Sequence, residues 1–148
     1  MAKKVRAIPK GYNSVTAALT QADAAKTIEF CQKAFGAKVL VNMLGPNGKV
    51  MHAEIQIGDS RIMLNDEMQE PAQPAGLFLY VADVDKTFAK ALKAGATALM
   101  PVQDMFWGDR FGRVMDPSGN RWGIATHRED VTPREMKKRA AAMFSASA

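Results

Sequence analysis

The alternation of apolar and polar positions along this chain changes period several times, and each change marks an element. Val50 to Ile57 alternates and reads as a strand. Lys38 to Leu44 reads as the strand before it, across the turn Gly45-Pro46-Asn47-Gly48. Gly58-Asp59 makes a tight hairpin into Arg61 to Leu64. Upstream, Ala24, Ile28, Cys31 and Phe35 recur at helical spacing, with Asp23 placed to cap the helix and Gly36 to end it. A first strand is expected over Ser14 to Leu19. The predicted order is β-α-β-β-β.

The order then returns. Asp66 to Ala75 is polar, holds Pro71 and Pro74, and reads as a linker. Leu77 to Val81 is a predicted strand. Asp83 caps a helix that turns Val84, Phe88 and Ala91 inward and stops at Gly95. Ala98 to Val102, Arg110 to Met115 and Arg121 to Thr126 are further strands. They are joined by a loop through Met105-Phe106-Trp107-Gly108-Asp109 and the turn Asp116-Pro117-Ser118-Gly119. Residue echoes accompany the repeated order. Ala22-Asp23-x-x-Lys26-Thr27 returns as Ala82-Asp83-x-x-Lys86-Thr87, and Lys33-Ala34-Phe35-Gly36-Ala37 returns one residue shorter as Lys93-Ala94-Gly95-Ala96. Gly48-Lys49-Val50-Met51 is echoed by Gly112-Arg113-Val114-Met115, and Gly58-Asp59-Ser60-Arg61 more weakly by Gly119-Asn120-Arg121. A repeat of about sixty residues exceeds an ordinary solenoid unit and implies a duplicated α/β module. Two such modules make a pseudo-symmetric domain with a cleft where they meet.

The ends differ from the modules. Residues 1–12 read as an extended arm interrupted by Pro9 and Gly11. Thr132-Pro133-Arg134-Glu135 supplies an N-cap, a proline at the first helical position and a capping-box glutamate. Met136, Ala140, Met143 and Phe144 then form one apolar stripe, which must cover the domain's own surface or a partner subunit. The expected fold is α+β. Two tandem βαβββ modules, about 13–66 and about 76–127, form a pseudo-symmetric curved mixed-sheet barrel with a central cleft. A C-terminal helix covers about 133–144, and the whole of 1–148 is one domain.

Composition narrows the function classes. The chain has 148 residues, a hydrophobic fraction of 47% and a charged fraction of 24%, ordinary values for a globular protein. No apolar run has the length of a membrane span. The basic N-terminus lacks an apolar stretch and a cleavage site, so no secretory signal is expected. The single cysteine, Cys31, fits a reducing cytoplasm. The net charge is +5, much of it at the two ends. No nucleic-acid recognition motif accompanies it, so a solvated surface is the reading and no nucleic-acid partner is expected. No P-loop, dinucleotide fingerprint or nucleophile elbow is present.

Several segments resemble the vicinal oxygen chelate superfamily (glyoxalases, bleomycin-resistance proteins and extradiol dioxygenases), and its PhnB-like branch in particular. They are Ile28-Glu29-Phe30-x-x-x-Ala34-Phe35-Gly36-Ala37, Val50-Met51-His52-Ala53-Glu54-Ile55, Gly58-Asp59-Ser60, and Phe106-Trp107-Gly108-Asp109-Arg110, followed by Asp116-Pro117-x-Gly119-x-x-Trp122-x-Ile124-Ala125-Thr126-His127. The resemblance implies a binding site enclosed by the two modules and, in the enzymes, one divalent metal held mostly by His and Glu. The corresponding positions here are Thr16 or its neighbours, Met63 or Asn65, Gly76, where a histidine often sits, and Gly123, where a glutamate often sits. Glycines donate nothing, and methionine and threonine suit such a cation poorly. The usual metal cage is therefore expected to be missing, with no cofactor; the alternative is a divalent metal at a non-standard site.

Four residues are the ligand-binding candidates: His52, Glu54, Trp107 and Arg110. His52 and Glu54 alternate on one face of a strand, opposite Met51, Ala53, Ile55 and Ile57, and are expected to face the concave side. They suit a base, acid or hydrogen-bonding handle, or two ligands of a non-standard metal site; the competing reading is a solvated or mutually satisfied pair. Trp107 beside Arg110 suits a planar or anionic ligand. The competing reading has Trp107 plugging the barrel mouth and Arg110 paired with Asp109 or Asp116. Trp122 and Cys31 read as core. His127 reads as a surface or capping residue. Asp116 is either the counterpart of His52 across the cleft or simply part of its turn. The functional expectation is a cytoplasmic homodimer that binds a small organic ligand in the cleft without the usual metal. The alternative is a metal-dependent lyase, isomerase or dioxygenase using His52 and Glu54.

Overall fold

The computed structural model describes residues 2–146. The chain divides into two compact units between Ala75 and Gly76. In the first unit, strand β1 (Ala17–Gln21) leads through helix α1 (Ala24–Phe35) to β2 (Lys38–Leu44), β3 (Val50–Ile57) and β4 (Ser60–Asp66). In the second, β5 (Gly76–Tyr80), α2 (Val84–Lys93), β6 (Thr97–Asp104), β7 (Asp109–Met115) and β8 (Arg121–His127) repeat that order, and α3 (Pro133–Ala146) follows. Each unit builds one mixed four-stranded sheet, ordered β1-β4-β3-β2 and β5-β8-β7-β6. The first strand of each pairs in parallel with the last, and the other pairs are antiparallel. The fold is α+β, and the two βαβββ modules expected from the sequence each build one mixed four-stranded sheet.

The local signals act as the sequence predicts. Asp23 and Asp83 each accept the backbone N–H three residues on, at 3.1 Å, and so cap α1 and α2. Gly36 ends α1 in the left-handed region at φ 66°, where a side chain is disfavoured. Asp116 is buried and accepts from the backbone N–H groups of Ser118 and Asn120, the Asn120 amide and the Trp122 indole. It organises its own turn and fixes Trp122 in the core. Thr132 accepts the Glu135 N–H at 3.2 Å at the start of α3. The Glu135 carboxylate pairs with Arg139 instead of returning to the cap, so the capping box is only half made.

Longer-range features depart from expectation. The first strand lies at Ala17–Gln21 rather than Ser14–Leu19. Asp66 is no linker residue: it is buried at the end of β4, and its carboxylate accepts the N–H of Ala24 and that of Val50, both at 2.7 Å. On β3 the apolar face is Val50, Ala53, Ile55 and Ile57, while Met51 is 46% exposed. The cause is a β-bulge: Met43 pairs with His52 and Leu44 with Val50, which leaves Met51 as the extra residue. In the first unit the buried face of the sheet packs on Ala24, Thr27, Ile28, Cys31 and Ala34 of α1. Edge strands β2 and β6 also bulge, at Leu40 and Leu99, which breaks the regular edge another chain could pair with.

Candidate functional site

The bulge sets which residues of the two units correspond. The turn after β2 is closed by Gly45 N–H to Lys49 O (2.8 Å) and Gly48 N–H to Gly45 O (3.0 Å). The turn after β6 is closed by Met105 N–H to Asp109 O (2.8 Å) and Gly108 N–H to Met105 O (3.2 Å). Gly48 therefore corresponds to Gly108, and the echo of Gly48-Lys49-Val50-Met51 in Gly112-Arg113-Val114-Met115 is not a structural equivalence. Past Met51 the correspondence slips by one, because Ala53 pairs with Leu64 as Gly112 pairs with Ile124. The counterpart of His52 is thus Phe111, and Asp116 does not match it. Likewise Met63, opposite Glu54, corresponds to Gly123, opposite Arg113.

The open face of the first sheet is polar. His52 and Glu54 lie half-buried on β3, away from α1 as expected, and their side chains meet at 3.3 Å. Met63 stands opposite Glu54, and Asn65 donates to the Asp66 carbonyl oxygen at 2.9 Å. Beside β1, Glu70, Pro71, Gln73, Pro74 and Ala75 of the connecting segment line an open depression of about 390 Å³ with Ala18, Leu19 and Thr20. Gln73 N–H donates to Thr20 O at 3.1 Å and holds that segment along the strand.

The equivalent face of the second sheet is aromatic. On β5 the alternation sends Phe78 and Tyr80 outward, 52% and 60% exposed. Phe78 stacks on Phe111, centroids 5.4 Å apart and planes 8° from parallel. Gly123 makes this possible: a Cβ there would stand 2.8 Å from Phe78 Cδ2 and 3.0 Å from Phe111 Cε2. Trp107 adds a tilted ring, its centroid 6.0 Å from that of Phe111. Behind the rings sits the buried carboxylate of Asp109, which accepts from Tyr80 Oη (2.9 Å) and Trp107 Nε1 (3.1 Å) and meets His127 Nδ1 at 2.7 Å. His127 Nε2 meets Asp130 at 2.7 Å.

These bonds set the charges. Burial alone drives Asp109 upward, but the hydrogen bonds from His127, Tyr80 and Trp107 outweigh it and hold the carboxyl below its ordinary value. His127 is raised by its hydrogen bond to Asp130 and then by that to Asp109, so it favours the imidazolium, which can donate to both. The Asp109 hydrogen bond, helped by burial, raises the Tyr80 phenol and keeps it a neutral donor. The carboxylate thereby fixes the orientation of both polar aromatics, the exposed Tyr80 and the half-buried Trp107.

The Trp107 turn is braced from behind. Arg128 and Glu129 N–H groups donate to Gly108 O at 2.9 and 3.1 Å, and Arg139 of α3 donates to Phe106 O at 3.1 Å while holding Glu129 with two bonds. Gly108 is required there: its φ is 100°, and a Cβ would meet Glu129 O at 2.2 Å.

The structure does not bring Trp107 and Arg110 together. Strand alternation turns Asp109 and Phe111 to the open side and Arg110 to α2, where it grips Asp85 with two bonds (2.8 and 3.0 Å) and reaches Asp104 at 3.3 Å. Its partners are neither Asp109 nor Asp116. His127 is exposed, as the surface reading has it, and bridges the Asp109 and Asp130 carboxylates. Sequence reasoning passed over Phe78, Tyr80 and Phe111. The signal was the alternation Leu77-Phe78-Leu79-Tyr80, with its aromatic residues on the outward positions. Of the metal-cage positions, Gly123 is packed under two rings and Gly76 has no side chain, so neither offers a donor.

The profile of the Glyoxalase/Bleomycin resistance protein/Dioxygenase superfamily matches residues 13–124, and the chain belongs to that superfamily. The uncharacterised protein Mb0911c of Mycobacterium bovis is 38% identical over 127 residues, covering 78% of this chain and 84% of the relative. Among solved structures, TioX from a Micromonospora species aligns with a TM-score of 0.67 at 24% identity, over 78% of this chain and 99% of its own. The PhnB protein from Bacillus cereus aligns at 0.59 and 19%, over 77% and 99%. TnmS3, an antibiotic binding protein from a Streptomyces species, aligns at 0.59 and 22%, over 78% and 99%. These three likenesses concern the fold. No helix among the described residues is long and apolar enough to cross a membrane.

Proposed function

We propose that this chain binds a small, planar aromatic organic molecule on the open face of the second unit, without a resident divalent metal. The observation that carries the reading is the Phe78–Phe111 stack over Gly123, whose outer ring is half exposed and flanked by Tyr80 and Trp107, both anchored on Asp109. An open-ended stack continues naturally with another flat ring, and rigid neighbours lower the entropy lost on binding. At Gly123, where the family resemblance places a metal-ligating glutamate, this chain supports aromatic surface. That TnmS3 binds an antibiotic is in keeping with such a role. His52 and Glu54 are the polar handle of the first unit, and Trp107 is a contact of the second. Arg110 acts by tying α2 to β6 and β7 through Asp85 and Asp104. We place the protein in the reducing cytoplasm, in keeping with its buried Cys31 thiol, as a homodimer through exposed apolar surface such as Met143 and Phe144.

A panel of planar aromatic compounds titrated against tryptophan emission tests the reading, with Trp107→Phe identifying the reporter. Saturable binding that is lost in Phe78→Ala is expected. Absence of saturable binding across the panel, or binding untouched by Phe78→Ala, sinks it. A stoichiometric metal in protein purified without chelator, and lost in His52→Ala, would sink the metal-free part. Light scattering checks the dimer.

A further inference from the structure

The aromatic face carries its own cations. Phe78 on β5 pairs with Gly123 on β8, and Gly123 pairs with Arg113 on β7, so the three form one row across the second sheet. Residues paired in this way put their side chains on the same face. Phe111 lies two residues before Arg113 on β7, in a stretch without a bulge, and shares that face as well. The Phe78 and Phe111 rings close over Gly123, at 2.8 and 3.0 Å from where its Cβ would stand, so Arg113 is the next position beside the stack. Arg121, opposite Met115 in the following row of the same face, is the diagonal neighbour of Arg113. Both arginines are exposed, and a solute reaches them directly from solvent.

The other polar groups of this face are already engaged. Tyr80 O–H and Trp107 N–H both donate inward to Asp109, and His127 lies between Asp109 and Asp130. The strands of the second sheet carry two acids, Asp104 and Asp109. Asp104 meets Arg110, which points to α2, and Asp109 is buried under its three donors. The ring stack is therefore bordered by two like charges that no acid of the sheet answers. A guanidinium fork matches the two oxygens of a carboxylate, and the stem of Arg113 starts one position from the rings.

We propose that the ligand of the aromatic face is a planar aromatic acid, with its ring on Phe78, its carboxylate on Arg113, and Arg121 adding positive charge. This rests on the reading of the Phe78–Phe111 stack as the binding surface and names the class of molecule that surface selects. The anion-holding role that the sequence suggested for Arg110 falls to Arg113, because strand alternation sends Arg110 to the opposite face.

Isothermal titration calorimetry at low salt, with a naphthalene carboxylate and the matching neutral carboxamide, tests the proposal. The two compounds share the ring, so their difference isolates the anion. The carboxylate is expected to bind about fivefold more tightly, the scale of a solvent-exposed ion pair, and to lose that advantage as salt is raised. Arg113→Gln is expected to erase the advantage and Arg121→Gln to reduce it. Circular dichroism checks that these exposed substitutions leave the fold intact. Phe78→Ala is expected to abolish binding of both compounds. Equal affinities for the two compounds, or an advantage that survives Arg113→Gln, overturn the proposal; if Phe78→Ala still abolishes binding, the stack remains the binding surface. If neither compound binds, the proposal and the reading beneath it both fall.

Discussion

Gly123→Ala is the sharpest perturbation of the aromatic face. The added methyl would stand 2.8 Å from Phe78 Cδ2 and 3.0 Å from Phe111 Cε2, both inside normal contact distance. No backbone strain contributes, because Gly123 does not have positive φ. Overpacking of this kind costs about 1–3 kcal/mol. Phe111 is buried and cannot move, but Phe78 is 52% exposed and can swing into solvent. The stability loss should therefore fall near the low end, about 1 kcal/mol, or a drop of about 2–4 °C in Tm for a chain of this size. Binding should suffer more, because the stack that receives the ligand no longer exists. Thermal unfolding by circular dichroism, near-ultraviolet spectra and the aromatic-ligand titration together read these effects. A variant that loses stability but binds the ligand with unchanged affinity refutes the assignment of the stack as the binding surface.

Three further outcomes follow from the same geometry. Asp66→Ala strands two buried N–H groups, on Ala24 and Val50, and should cost about 2–5 kcal/mol in urea unfolding; a loss under about 1 kcal/mol would show that water replaces the carboxylate. Asp109→Asn keeps the shape but loses the charge that receives three donors, so Trp107 emission should shift and thermal stability fall by about 1–3 kcal/mol; unchanged emission would mean that Asp109 does not fix the indole. The pH dependence has a defined sign. The folded His127 lies above its ordinary 6.5, so its contribution is complete below that value and fades as pH rises through the folded pKa. The folded Asp109 lies below its ordinary 3.8, so its contribution is present above that value and fades as pH falls through the folded pKa. The Tm difference between wild type and His127→Gln should be largest in mild acid and shrink toward alkaline pH, and a constant difference would contradict the bridge.

The sequence by itself determined the two modules, the order of their elements and their local closures. Asp23, Asp83, Gly36 and the Asp116 turn act through hydrogen bonds that span only a few residues, so their composition suffices to identify them. It also placed His52 and Glu54 on the open face, since alternation holds beyond the bulge. The tertiary structure alone decided what depends on register. One extra residue at Met51 turns Val50 inside, makes Phe111 rather than Asp116 the counterpart of His52, and exposes a methionine expected inside. Pairing across strands also decided that Asp109 gathers Tyr80, Trp107 and His127 while its neighbour Arg110 turns away to α2. Such a site is assembled by residues far apart in the chain, from Tyr80 to His127, and bulges are not written in any local pattern. The repeat revealed where two equivalent faces would lie. Only the folded strands revealed that one of them is polar and the other is a shelf of rings.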